Sequence, residues 1–66
     1  MCRVLIIDDE EFFAETIQLI LEDAEEAEAK ISTTIEDARI QVKNAVERGK
    51  PFEVFLIDQR LGPGRP

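Results

Sequence analysis

The chain has 66 residues, 44% hydrophobic and 35% charged, with fifteen acidic and eight basic side chains and a formal charge of −7. That length suits one small globular unit and argues against two domains; a unit of this size buries only ~60% of its unfolded surface, so its stability margin is thin. The basic residues lie scattered among acids, which argues against direct binding to a nucleic-acid backbone and favours cations and partners with a basic surface.

No apolar run approaches the ~18 residues that a membrane span needs, and no basic segment leads into an apolar one at the N-terminus. No membrane partner is expected, and the chain is assigned to the cytoplasm. Cys2 is the single cysteine, so no intrachain disulfide can form. With no histidine to serve as its base, the thiol reads as a packing residue in a reducing compartment.

The first element is Val4-Leu5-Ile6-Ile7, which runs without a polar break into Asp8-Asp9-Glu10. A short, β-branched, uniformly apolar run is the pattern of a strand buried on both faces. Charges placed among those aliphatics would cost several kcal/mol, so the carboxylates must lie at the strand's C-terminal mouth. In parallel α/β sheets, ligands bind at that mouth.

Asp9-Glu10-Glu11 then supplies an N-cap candidate and acids for the first turn of a helix. Phe13, Ile17, Ile20, Leu21 and Ala24 recur at helical spacing, with Glu15, Gln18 and Glu22 on the opposite side, and both Phe12 and Phe13 read as core residues. The stretch from Glu22 to Lys30 has helix propensity and could prolong this helix. Alternation of Ala27, Ala29, Ile31 and Thr33 with Glu28, Lys30 and Ser32 instead predicts a short edge strand over Ala27 to Thr33 with one wet face.

A second helix is marked by the capping-box spacing of Thr33 and Glu36 and by the stripe Ile35, Ala38, Val42, Ala45 and Val46. It ends at Arg48-Gly49, with Gly49 in the left-handed C′ position. Pro51 prevents continuation, and Phe52 to Ile57 forms a third strand ending in Asp58. The segment from Gln59 to Pro66, with two glycines and two prolines, reads as loop.

Strand, helix, strand, helix, strand in this order predicts an α/β fold: a parallel β-α-β-α-β half of a flavodoxin-like doubly wound sheet with strand order 2-1-3. Adjacent parallel strands lie ~4.8 Å apart, so Asp8 or Asp9 and Asp58 would face one cleft, where a hard divalent cation with oxygen ligands relieves their repulsion. Taken alone, Asp8 and Asp9 read as caps for the helix that follows them, and Asp58 as a turn residue. Glu10 and Glu11 suit the helix dipole, and Arg60 a solvated surface. A nucleotide hydrolase could also end its strand in Ile7-Asp8, but no glycine-rich loop with lysine accompanies it here.

Together, Val4-Leu5-Ile6-Ile7-Asp8-Asp9-Glu10, Phe55-Leu56-Ile57-Asp58, the following Leu61-Gly62-Pro63-Gly64 and the helix pattern between them resemble the receiver domains of two-component response regulators. The resemblance spans essentially all of residues 1–66 and implies a phosphoacceptor signalling module rather than an enzyme. It makes Asp58 the phosphoacceptor, with Mg²⁺ held by Asp58, by Asp9 directly, by Asp8 mainly through water and by the backbone carbonyl of Arg60. The implied phosphoryl donors are a sensor histidine kinase, a phosphotransfer protein or a small phosphodonor.

A receiver is roughly twice this length and carries a phosphate-sensing Ser or Thr and a phosphate-pairing Lys on strands that these 66 residues do not contain. The chain is therefore expected to correspond to the N-terminal half, a truncated receiver domain over 1–66. Its third strand should be an exposed edge prone to self-association. The alternative function is a non-phosphorylated, self-associating interaction scaffold derived from a receiver.

Overall fold

The computed structural model describes residues 2–24 and 27–58. The chain runs β1 (Cys2–Ile7), α1 (Glu11–Asp23), β2 (Ala27–Ser32), α2 (Ile35–Glu47) and β3 (Val54–Ile57). The three strands form one open sheet in the order β2-β1-β3, with both pairings parallel. Cys2 lies opposite Ala27, and Val4 opposite Val54. The α/β class and the 2-1-3 order anticipated from the pattern are thus observed. Residues 59–66, including the expected loop and Arg60, lie outside the described residues.

Val4 to Ile7 are all buried, because β1 is central and covered on both faces. Alternation along the strand divides them into two small cores. Val4 and Ile6 pack with Ala14 and Ala29 toward α1, supported by Ile17, Leu21 and Ile31. Leu5 and Ile7 pack with Ala38 toward α2, supported by Val42 and Phe52. Each aliphatic side chain so buried contributes roughly 1.5–3 kcal/mol, which makes β1 the dominant source of stability.

Both helices pack on β1 and β2, and neither brings a Cα within 8 Å of a Cα of β3. This placement corrects the reading of the apolar stripes. Phe12 is 82% exposed, and Phe13, Ile20, Ile35 and Val46 are exposed as well. The inward face of α1 is Ala14, Ile17 and Leu21, together with Gln18, which the periodicity placed on the wet side. With α1 set over β2 and β1, nothing among the described residues lies opposite the flank that carries Phe12 and Ile20.

The caps also differ in detail. Glu10 occupies the N-cap of α1 with extended backbone and no side-chain capping bond. The N-cap of α2 is Thr34, not Thr33, and its hydroxyl accepts the Asp37 N–H at 3.0 Å. The strand ends at Ser32, so Thr33 is consumed by the turn, and the cap moves one residue along. At the other end Gly49 has φ +74°, with Gly49 N–H donating to Val46 O and Lys50 N–H to Ala45 O. That pair of bonds is a Schellman motif, as Gly49 implied.

Ser32 is fully buried rather than wet. Its hydroxyl oxygen accepts from Gln41 Nε2 at 2.7 Å, so its burial leaves no polar group unpaired. Among the described residues, no helix is long and apolar enough to cross a membrane.

Candidate functional site

The parallel register carries β1 and β3 to the same end of the sheet, and each terminates in an acid. Asp8 donates its N–H to Ser32 O at 3.0 Å, which continues the β1–β2 ladder one residue past the strand. Asp58 donates its N–H to Ile7 O at 2.9 Å, which does the same for β3. Both acids therefore leave the sheet from backbone held by hydrogen bonds, and neither position depends on a free loop.

Asp8, Asp9 and Asp58 each offer a carboxylate oxygen, and these atoms lie within 4.8 Å of one another. Asp8 is buried with 4% exposure, Asp58 is half-buried, and Asp9 faces solvent. One Asp8 oxygen, Oδ1, accepts the Glu10 N–H at 2.8 Å. Asp8 is thus not a helix cap: its side chain fastens the backbone of Glu10, the N-cap residue of α1, while its carboxylate also belongs to the cluster. Beside the carboxylates a cleft of about 220 Å³ opens between α1 and β3, walled by Ile6, Phe13, Ile17 and Leu56.

Three carboxylates at this range, one of them removed from water, form a donor set of hard oxygens. Such a set fits Mg²⁺, Ca²⁺ or Mn²⁺ rather than the softer metals that imidazole or thiolate select. Of the four residues singled out from the sequence, the fold brings Asp8, Asp9 and Asp58 together; the fourth, Arg60, lies outside the described residues.

Arg3 was not anticipated. Its guanidinium pairs with Glu28 of β2, its Nε–H donates to Lys50 O at 2.8 Å, and its Cζ lies 5.2 Å from the centre of the Phe52 ring. Its N–H donates to a Glu53 carboxylate oxygen at 3.1 Å, while Glu53 N–H donates to Arg3 O. Arg3 therefore fastens the approach to β3 at the end of the sheet opposite the acids. The only signal available beforehand was a lone cation immediately before an apolar strand.

No family model matches the chain, and no curated protein or solved structure matches it either.

Proposed function

We propose that the chain is a phosphoacceptor module of the receiver type, in which Asp58 accepts a phosphoryl group. The observation that carries this reading is the convergence of Asp8, Asp9 and Asp58 within 4.8 Å at the C-terminal mouth of two adjacent parallel strands. A carboxylate oxygen of Asp58 attacks phosphorus in a phosphohistidine or a small acyl phosphate. The bond from phosphorus to the donor nitrogen or oxygen breaks, its electron pair leaves with the donor, and Asp58 becomes an acyl phosphate.

The hard-oxygen donor set fits Mg²⁺. Asp9 and Asp58 would hold the ion directly, Asp8 mainly through water, and the Arg60 carbonyl would complete the protein ligands. When bound, the ion offsets the combined negative charge of the carboxylates and the phosphoryl oxygens. The chain's own residues supply position. The Asp8 carboxylate is oriented by the Glu10 N–H, the Asp58 backbone is held by Ile7 O, and the wall of Ile6, Phe13 and Leu56 limits water on one side.

The donor is proposed to be a sensor histidine kinase or a phosphotransfer protein. The direct test is incubation with acetyl phosphate or beryllofluoride, with and without Mg²⁺, followed by intact mass and amide NMR. A Mg²⁺-dependent adduct that Asp58→Ala abolishes is expected. A folded protein with neither adduct nor metal response overturns the reading and leaves an interaction scaffold with an idle acidic cluster.

A further inference from the structure

Asp8 stands just past the end of β1, and its N–H donates to Ser32 O, the carbonyl of the last residue of β2. The position of one acid of the candidate site is thus tied to the end of the outer strand. Strand ends at a sheet edge fray unless something holds them from outside.

Gln41 of α2 supplies that hold. Successive carbonyls of a strand face opposite edges, so Ser32 O points toward β1 and Ile31 O points outward. Gln41 Nε2 donates to Ile31 O at 2.8 Å and to Ser32 Oγ at 2.7 Å, with a longer contact of 3.1 Å to an Asp37 carboxylate oxygen. One amide therefore grips, from the far side, the residue that holds Asp8. Ser32 is fully buried, and a hydrogen bond without competing water is the stronger for it. The helix is fastened at the same end, because the Thr34 hydroxyl accepts the Asp37 N–H.

We propose that Gln41 is a positioning residue for the acidic cluster: through Ser32 it sets where Asp8 stands, and so sets the affinity of the cluster for a divalent cation. This role rests on the proposed use of Asp8, Asp9 and Asp58 as a cation site. Mg²⁺ demands near-ideal octahedral geometry, so a small displacement of one acid is felt in binding. Removing a group that orients metal-site residues typically costs about 10–100-fold in affinity.

Gln18 provides the matched contrast. Its Nε2 donates to Ala29 O at the same 2.8 Å, on the same edge of β2, but Ala29 pairs with Val4, well short of Asp8. If both amides merely stabilise the edge, losing either should act alike. Only the loss of Gln41 should reach the acids.

Mg²⁺ titration by amide NMR, and amide hydrogen exchange without the ion, on the parent, Gln41→Ala, Gln18→Ala and Ser32→Ala test this. Gln41→Ala is expected to weaken Mg²⁺ binding by roughly tenfold and to speed Asp8 exchange by roughly tenfold relative to the other amides of β1. Gln18→Ala should stay within about twofold of the parent in both. Ser32→Ala should also weaken binding, and its loss combined with Gln41→Ala should be less than additive, because both variants break one linkage. In the parent itself, Mg²⁺ should shift the Gln41 side-chain amide signals and leave those of Gln18 in place, since coupling is reciprocal. Unchanged affinity and Asp8 exchange in Gln41→Ala, or equal changes in Gln18→Ala, overturn the proposal. So do Gln41 side-chain signals that ignore a cation to which Asp8 responds, a result that needs no variant to fold. A parent that ignores Mg²⁺ contradicts the cation site itself; that failure is told apart by Asp8 exchange, which reads the hold of Gln41 without any ion.

Discussion

Asp58 is bound through its backbone to Ile7, the residue that immediately precedes Asp8: its N–H donates to the Ile7 carbonyl at 2.9 Å. That single bond sets the spacing of the candidate site, because it locks the end of β3 to the end of β1. Two acids separated by fifty residues become neighbours through the sheet, and the parallel register leaves them on the same end.

Asp8 serves two roles that a conservative substitution separates. In Asp8→Asn the amide oxygen can still accept the Glu10 N–H, so the start of α1 is retained. In the absence of a divalent cation the substitution should leave urea stability at or above that of the parent, since it removes one charge from three mutually repelling carboxylates. It should weaken any divalent-cation response by roughly tenfold or more, since one of the charged donors is lost. Equal loss of stability and metal response would mean that the carboxylate charge matters to the fold itself.

The α2 cap offers a paired comparison. Thr34→Ala removes the hydroxyl that accepts the Asp37 N–H and should cost about 1 kcal/mol by urea denaturation. Thr33→Ala removes no such bond and should lie within about 0.5 kcal/mol of the parent. If the larger loss falls on Thr33, the cap is the one first suggested by the Thr33 and Glu36 spacing.

Gln41 is bonded to Ile31 O, Ser32 Oγ and an Asp37 carboxylate oxygen. Gln41→Ala strands the fully buried Ser32 hydroxyl and should destabilise the chain by about 1–3 kcal/mol. Adding Ser32→Ala to it removes the stranded group and should recover part of that loss. Additive losses in the double variant would show that Gln41 acts elsewhere.

Arg3→Lys keeps the charge but loses the planar fork that reaches Glu28 and Lys50 O and lies over the Phe52 ring. The pair with Glu28 is partly solvated, which limits its worth, so a loss of about 1 kcal/mol is expected. The change should also speed amide exchange in β3, because Arg3 holds its approach. A lysine variant with parental exchange rates there would remove Arg3 from that role.

The features legible in the sequence were those with a local signature. Val4 to Ile7 form an unbroken apolar run, Gly49 follows a helix two residues before Pro51, and Asp8, Asp9 and Asp58 end apolar runs, so the fold and the acidic cluster followed from pattern alone. What was not legible depended on where the helices settle across the sheet. Phe12, Phe13 and Ile20 read as core because helical periodicity reports that a face is apolar, not that something lies opposite it. Gln18 read as polar surface and Gln41 carried no signal, yet both bond to the β2 edge, a relationship fixed only when helix and strand meet. Arg3 had no pattern to belong to, since its partners come from β2, from the turn after α2 and from β3's approach.

The proposed cation and phosphoacceptor site stands on the three acids that the sheet gathers. The most direct measurement is a Mg²⁺ titration of the folded chain followed by backbone amide NMR, run beside Asp58→Ala. Saturable shifts centred on Asp8, Asp9 and Asp58, and lost in the variant, are expected. A well-dispersed spectrum that does not respond to Mg²⁺, or one that responds equally in Asp58→Ala, would contradict it.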